Sequence, residues 1–116
     1  MTKKYSELVY QKMSETARLI SDSAEFLSGW IDIINNLTED IDKIEPDFRI
    51  SQIKEKFGGL RFYVTYHNQE IGQLISSAEE ESFQTCIKCG QKGKLRNDNG
   101  YYVTLCNNHF EVNEKD

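Results

Sequence analysis

The stretch that decides the fold is Ile53-Lys54-Glu55-Lys56-Phe57-Gly58-Gly59-Leu60-Arg61-Phe62-Tyr63-Val64, in which apolar and charged side chains alternate around a glycine pair. Alternation with a period of two is typical of a β-strand with one buried face. A Gly-Gly pair can take the positive φ angles that a two-residue hairpin turn requires. The stretch therefore predicts a β-hairpin within residues 50–66 that turns at Gly58-Gly59.

A turn at this place fixes the register of the hairpin. Residue 57 would pair with 60, 56 with 61, 54 with 63 and 52 with 65. The side chains expected on the core face are Ile53, Phe57, Leu60, Phe62 and Val64, with Trp30 nearby. Those expected on the outer face are Lys54, Lys56, Arg61 and Tyr63.

Helical patterns flank the hairpin on both sides. Residues 1–21 predict a first helix with Tyr5, Val9, Met13, Ala17 and Ile20 on one face. A second helix follows, whose apolar residues are spaced by three and four: Leu27, Trp30, Ile34, Leu37, Ile41 and Ile44. Such a stripe is typical of a core face, and a partner-binding coiled coil is the alternative. We expect Pro46 to end this helix, and Asn68 to cap a third one that carries Ile71, Leu74, Ile75 and Ala78.

The last third of the chain carries a metal-ligand pattern. Cys86, Cys89, Cys106 and His109 form C-x2-C-x16-C-x2-H, with Gly90 directly after the first pair. Each short pair can supply two adjacent corners of a tetrahedral zinc site. Strand-like residues around Asn99-Gly100 predict a second hairpin between the pairs. We expect a structural Zn²⁺ site of the zinc-ribbon or treble-clef kind, with no open coordination position.

Two other interpretations of these residues remain open. In the first, the pattern consists of three buried thiols and an unrelated surface histidine, and no metal binds. Redox chemistry at the Cys86-x-x-Cys89 pair is a weaker option, because zinc would occupy the thiols. The odd number of cysteines, three, argues against a disulfide framework.

Composition and charge exclude several classes of protein. The chain has 116 residues, 28% of them charged, and a net charge of −5, which disfavours a dedicated nucleic-acid coat. Residues 1–47 carry a net charge of −5 and residues 68–85 one of −4, whereas residues 48–67 carry +3. No apolar run reaches the length of a membrane span, and the N-terminus lacks the apolar stretch of a signal peptide. We therefore expect a soluble, cytoplasmic protein.

The basic hairpin face is the candidate partner-binding surface. Lys54, Lys56 and Arg61, with Tyr63 beside them, suggest that anionic groups lie nearby. These groups could be acids of the same chain, such as Glu79-Glu80-Glu81, or they could belong to an anionic partner or a phosphate backbone. A nucleic-acid interface would also use Lys92, Lys94 and Arg96 with Tyr101 and Tyr102.

No catalytic set emerges from the residues. His67 is the only other histidine and is most simply a polar surface residue. The glycine pair lacks the strand-then-helix context of a phosphate-binding loop, and no serine sits in a nucleophile elbow. We therefore expect that the protein is not an enzyme and has no small-molecule substrate. A nuclease-like activity would require distant acids to converge.

Four motifs recur together within residues 28–110: Gly29-Trp30, Lys54-Glu55-Lys56-Phe57-Gly58-Gly59-Leu60-Arg61-Phe62-Tyr63, Cys86-x-x-Cys89-Gly90 and Leu105-Cys106-x-x-His109. With these motifs the stretch resembles a family of small bacterial, phage and prophage zinc-knuckle proteins without an established activity. The resemblance supports the metal site and the fold, and the family's occurrence in mobile elements implies a role in phage–host conflict inside the bacterial cell.

These observations predict an α+β fold. Residues 1–85 would form a domain of helices packed on a β-hairpin, and residues 86–116 a zinc-binding knuckle packed on it, together one folding unit. For function we expect a non-catalytic, zinc-stabilised protein-binding module, and specifically a phage inhibitor of a host defence complex. The alternative is a nucleic-acid-binding regulator that uses the basic hairpin face and the knuckle.

Overall fold

The computed structural model describes residues 4–115 and the side chains up to Glu111. Its helices are α1 (Glu7–Lys12), α2 (Glu15–Ile20), α3 (Ile31–Ile44), α4 (Gln69–Ser82) and α5 (Asn107–Lys115), with a 3-10 turn at Ser28–Trp30 before α3. Its strands are β1 (Ile50–Lys56), β2 (Gly59–Val64), β3 (Lys94–Asp98) and β4 (Tyr101–Leu105). They form two separate antiparallel hairpins, β1–β2 and β3–β4. This arrangement confirms the α+β class and the small C-terminal knuckle.

Helix α3 carries the last four residues of the predicted stripe, whereas Leu27 and Trp30 lie before it, in a turn and in the 3-10 turn. Trp30, Ile34 and Ile41 are fully buried, and the helix ends at Ile44, two residues before Pro46. The stripe is part of one core that also takes in apolar side chains of β1, β2 and α4. It is therefore a core face within this chain. Among the described residues, no helix is long and apolar enough to cross a membrane.

The prediction of one helix through residue 21 is wrong, because the helix is interrupted at Ser14. The backbone of Ser14 is extended, its N–H donates to the carbonyl of Ile50 (3.3 Å), and Met13 forms a parallel bridge with the same residue. Pairing with β1 thus replaces the helical bonds, and the Ser14 hydroxyl caps α2 by accepting the N–H of Ala17. Ile20 is half-exposed. Residues 1–3 of the predicted helix lie outside the described residues.

The predicted register of the first hairpin is also wrong. The turn residues are Phe57 and Gly58, with φ of 54° and 89°, and not Gly58 and Gly59. Lys54 therefore pairs with Arg61, Gln52 with Tyr63 and Lys56 with Gly59. Phe57 lies at the tip with 67% of its surface exposed, so its predicted place in the core is wrong as well.

Close packing explains why the second glycine does not serve in the turn. A Cβ on Gly59 would lie 2.2 Å from Cζ of Phe83, so this strand position must stay without a side chain. Ile53, Leu60 and Phe62 still enter the core, because a shift by two residues keeps each side chain on its own face.

The outward edges of β1–β2 are closed by side chains from neighbouring segments. The four outward N–H groups of its central residue pairs all have a side-chain acceptor: Ile53 donates to Ser21 Oγ (2.9 Å), Glu55 to Asp22 Oδ2 (2.8 Å), Leu60 to Ser82 Oγ (2.9 Å) and Phe62 to Glu79 Oε2 (3.1 Å). The hairpin is thereby held between residues 21–22 on one side and α4 on the other.

Three further predictions of local structure are confirmed. The side chain of Asn68 accepts the N–H of Ile71 (2.9 Å) and caps α4. Asn99 and Gly100 form the turn of the second hairpin, with φ of 55° and 87°. Helix α5 begins directly after Cys106, as the second ligand pair requires.

Candidate metal centre

Cys86 and Cys89 lie on a tight turn that follows α4. Gly90 takes a φ of 83°, a conformation that favours glycine, and its N–H donates to the carbonyl of Cys86 (2.9 Å). The N–H of Cys86 donates in turn to the carbonyl of Gln91 (2.8 Å). These bonds close the knuckle and place both sulfur atoms on one side of it.

Cys106 and His109 come from the end of β4 and the first turn of α5. The N–H of Phe110 donates to the carbonyl of Cys106 (3.0 Å), so the helix starts at the cysteine and brings residue 109 back over it. Two residues between a cysteine and a histidine suit this placement, because positions three apart on a helix share a face.

The four donor atoms converge. Sγ of Cys106 lies 3.2 Å from Nδ1 of His109, Sγ of Cys86 lies 3.5 Å from the same nitrogen, and the sulfur atoms of Cys89 and Cys106 are 3.7 Å apart. All four atoms lie within 4.8 Å of one another. With Zn–S and Zn–N bonds of about 2.3 and 2.0 Å, a tetrahedron has edges of about 3.5–3.8 Å. The geometry therefore fits a four-coordinate metal ion.

Backbone N–H groups make the site suitable for thiolates. Burial raises the pKa of Cys86, but N–H groups of Cys106, Cys89 and Lys88 outweigh it and leave that pKa below its ordinary value. Burial likewise raises the pKa of Cys106, and the backbone and ring of His109 reverse the shift. The pKa of Cys89 is raised to about 11, chiefly by desolvation and further by the two neighbouring cysteines. A divalent cation would supply the countercharge that three crowded thiolates require.

The knuckle rests on the segment that leads into α3. The N–H of Gly29 donates to the carbonyl of Ile87 (2.6 Å), and the Trp30 indole donates to the carbonyl of Thr85 (2.8 Å). A Cβ on Gly29 would lie 1.9 Å from the carbonyl oxygen of Cys86. Backbone meets backbone here, so only glycine fits. Sequence patterns do not indicate this contact, which joins Gly29-Trp30 to the knuckle.

The basic hairpin residues share one face, as predicted. Lys54, Lys56, Arg61 and Tyr63 stand on the same side of β1–β2, with Lys54 rather than Lys56 opposite Arg61. The ammonium of Lys54 lies 5.9 Å from the ring centre of Tyr63. Among the described side chains, those of residues 4–111, Lys54, Lys56 and Arg61 form no ion pair. The carboxylate of Glu79 accepts the N–H of Phe62 at the edge of the hairpin.

The second basic group lies beside the metal site and is partly engaged there. Arg96 donates to the Asn107 side chain (2.7 Å) and to the carbonyl of Leu105 (3.2 Å), and its guanidinium covers the ring of Phe110 at 4.5 Å. Lys92 and Lys94 line an open groove next to it. Arg96 therefore tethers β3 to α5.

His67 is remote from this cluster, and its ring packs against Gly72 of α4. Among the described residues, Cys86, Cys89, Cys106 and His109 form the one group of histidine, cysteine and acidic side chains close enough to hold a metal ion. Comparison of the chain with protein-family models, with curated proteins and with solved structures finds no match.

Proposed function

We propose that this chain is a non-catalytic protein-binding module that a structural Zn²⁺ ion stabilises through Cys86, Cys89, Cys106 and His109. The observation that carries the proposal is the convergence of four soft or borderline donors at tetrahedral distances. Three thiolates and one imidazole suit Zn²⁺ and complete its coordination, so no position is left for a substrate. A bound zinc ion would fasten the knuckle to α5.

The binding surface of this proposal is the basic hairpin face with Lys54, Lys56, Arg61 and Tyr63. Support comes from its rigidity, because both edges of the hairpin are closed by hydrogen bonds, and from three cations without an ion pair in the described chain. Rigid, preorganised residues lose little entropy on binding. The resemblance to phage and prophage proteins motivates the narrower proposal that the partner belongs to a defence complex of the bacterial host.

Nucleic-acid binding is the competing function, and exposed aromatic residues beside cations favour it. Against it stands the charge of the flanking segments, −5 over residues 1–47 and −4 over residues 68–85. Asp22 and Glu79 of these segments accept N–H groups of the hairpin, so part of this charge lies within a Debye length, roughly 10 Å, of it. Their field should offset most of the +3 of residues 48–67 at a distance, so the cations serve a short-range contact.

The test compares the wild type with a variant carrying Lys54→Gln, Lys56→Gln and Arg61→Gln. We expect the wild type to capture a protein from bacterial lysate, to bind that protein again when both are pure, and to lose it in the variant. Labelled single- and double-stranded oligonucleotides should not bind at low salt. Sub-micromolar, salt-sensitive binding whose salt slope falls by up to about three units in the variant would establish the nucleic-acid function instead.

A further inference from the structure

The tip of the first hairpin carries a residue that its backbone does not favour. Phe57 has a φ of 54°, in the left-handed region that bulky side chains rarely adopt. Its ring is 67% exposed and lies outside the core cluster. Neither local conformation nor burial therefore accounts for a phenylalanine at this position.

The second hairpin supplies an internal comparison. Its turn, Asn99-Gly100, has φ of 55° and 87°, nearly the same angles as the 54° and 89° of Phe57-Gly58. Asn is among the residues that tolerate this conformation best. The side chain of Asn99 is exposed and takes no part in the core. One chain thus holds the expected residue in one turn and an unfavourable, exposed aromatic residue in the other.

The surroundings of Phe57 are cationic. The ammonium of Lys56 lies 5.6 Å from the centre of the Phe57 ring, and Lys54 and Arg61 stand next along the same face. An exposed aromatic ring rimmed by cations complements an apolar pocket rimmed by carboxylates. Large aromatic anchors that enter such pockets dominate the binding energy of many protein interfaces.

Other features of the tip prepare it for such a contact. Glu55 accepts the N–H of Gly58 (2.7 Å), and Thr104 donates to the carbonyl of Gly58 (2.6 Å). A Cβ on Gly58 would lie 2.4 Å from the Leu95 side chain, so the turn is seated on the second hairpin. The backbone that carries Phe57 is fixed from both sides, which leaves the ring as the projecting element.

We propose that Phe57 is the anchor of the protein-binding surface, and that it inserts into an apolar pocket of a partner protein whose rim carries acidic side chains. This inference rests on the proposed function and names the chemistry of the partner. Base stacking is the disfavoured alternative, because the acidic segments that flank the hairpin repel a polyanion.

The experiment uses the full zinc-loaded chain and a phage-displayed library of a small folded domain whose concave face is randomised. Domains enriched on the wild type are labelled, and their affinities are measured by fluorescence anisotropy against the wild type, Phe57→Asn and Leu19→Asn. Leu19 is the matched control, because it is 85% exposed and apolar but lies on a regular helix. A labelled oligonucleotide is titrated into the same proteins.

We expect the enriched domains to carry apolar residues at the centre of the concave face and Asp and Glu around them. Phe57→Asn should weaken their binding at least tenfold, which is about 1.4 kcal/mol, while Leu19→Asn changes it less than twofold. The melting temperature of Phe57→Asn should equal or exceed that of the wild type, which separates loss of an anchor from loss of folding.

Three results would overturn the inference. One is that no domain is enriched, or that enriched domains bind Phe57→Asn as well as the wild type. Another is a lower melting temperature for Phe57→Asn, because the ring would then have a structural role. In these two cases the proposed function survives with a different anchor. The third is oligonucleotide binding that requires Phe57, which would refute the proposed function as well.

Discussion

The two hairpins of this chain share a turn geometry but differ in what stabilises them. In β1–β2, the side chains of Ile53, Leu60 and Phe62 are buried between the helices. In β3–β4, Lys94 to Asp98 are exposed or half-exposed, and only the end of β4 enters the core. A two-stranded hairpin without an apolar face is marginal in water. The comparison teaches that the first hairpin depends on packing and the second depends on its attachment to the four metal ligands.

Removal of the metal should produce the largest difference in stability between the two hairpins. Cys89→Ser, or chelation of the wild type, should abolish hydrogen-exchange protection in residues 84–110 while β1 and β2 stay protected. Structural zinc sites in isolated finger peptides contribute about 10–16 kcal/mol of binding energy, and that energy is coupled to folding. Mass-spectrometric hydrogen exchange measures both regions at once, and elemental analysis counts the zinc, which we expect at one ion per chain.

Lys92→Ser serves as the control, because it alters the same segment without removing a ligand. Acidification should act like the cysteine substitution, since protons compete with the metal for the thiolates. Protein that contains no zinc, or a Cys89→Ser variant with unchanged melting, would contradict the metal site.

A core substitution should strike only the first hairpin. Phe62 is 2% exposed, so Phe62→Ala should lower the free energy of unfolding by about 3–5 kcal/mol. Leu95, on the second hairpin, is 44% exposed, and Leu95→Ala should cost less than about 1 kcal/mol. Urea unfolding of both variants measures the difference. A loss below about 1 kcal/mol for Phe62→Ala would mean that the faces of β1–β2 are assigned backwards.

Two glycine substitutions sharpen the comparison. Gly59→Ala would bring a methyl group to within 2.2 Å of the Phe83 ring, and we expect it to cost about 1–3 kcal/mol from overpacking. Gly100→Ala meets no atom within 4 Å but must keep a φ of 87°, so about 1 kcal/mol of backbone strain is expected. The control is a double-mutant cycle with Phe83→Ala, which should relieve Gly59→Ala and leave Gly100→Ala unchanged.

The smallest effect should come from exchanging the turn residues. Phe57→Asn should raise the free energy of unfolding by up to about 1 kcal/mol, and Asn99→Phe should lower it by a similar amount, since both positions have a left-handed backbone. Thermal melting of the two variants decides this prediction. If both variants melt at the same temperature as the wild type, an aromatic residue has no conformational cost at positions 57 and 99.

Sequence patterns gave the elements of this fold but not all of their junctions. The helical stripe from Ile34 to Ile44, the Asn68 cap and the Asn99-Gly100 turn depend on local chemistry, and each was predicted correctly. The turn of the first hairpin was not, because Gly59 is required by the ring of Phe83, a residue 24 positions further along the chain. A glycine that accommodates a distant neighbour looks the same in sequence as one that makes a turn.

The same reasoning applies to the candidate metal centre. The spacing of Cys86, Cys89, Cys106 and His109 predicts that these four residues form one metal site, because each pair is a local motif. The support beneath them was not foreseen. Gly29 meets the knuckle through backbone contacts, and such contacts leave no trace in hydrophobic periodicity.

The closed edges of the first hairpin limit how other chains can approach it. An open strand edge recruits extended peptides, which is the route to edge-to-edge aggregation and to strand exchange between copies. Here Ser21, Asp22, Glu79 and Ser82 already accept the N–H groups that an added strand would need. A further strand therefore cannot pair with the central part of this sheet. Recognition at the hairpin must proceed through its side chains.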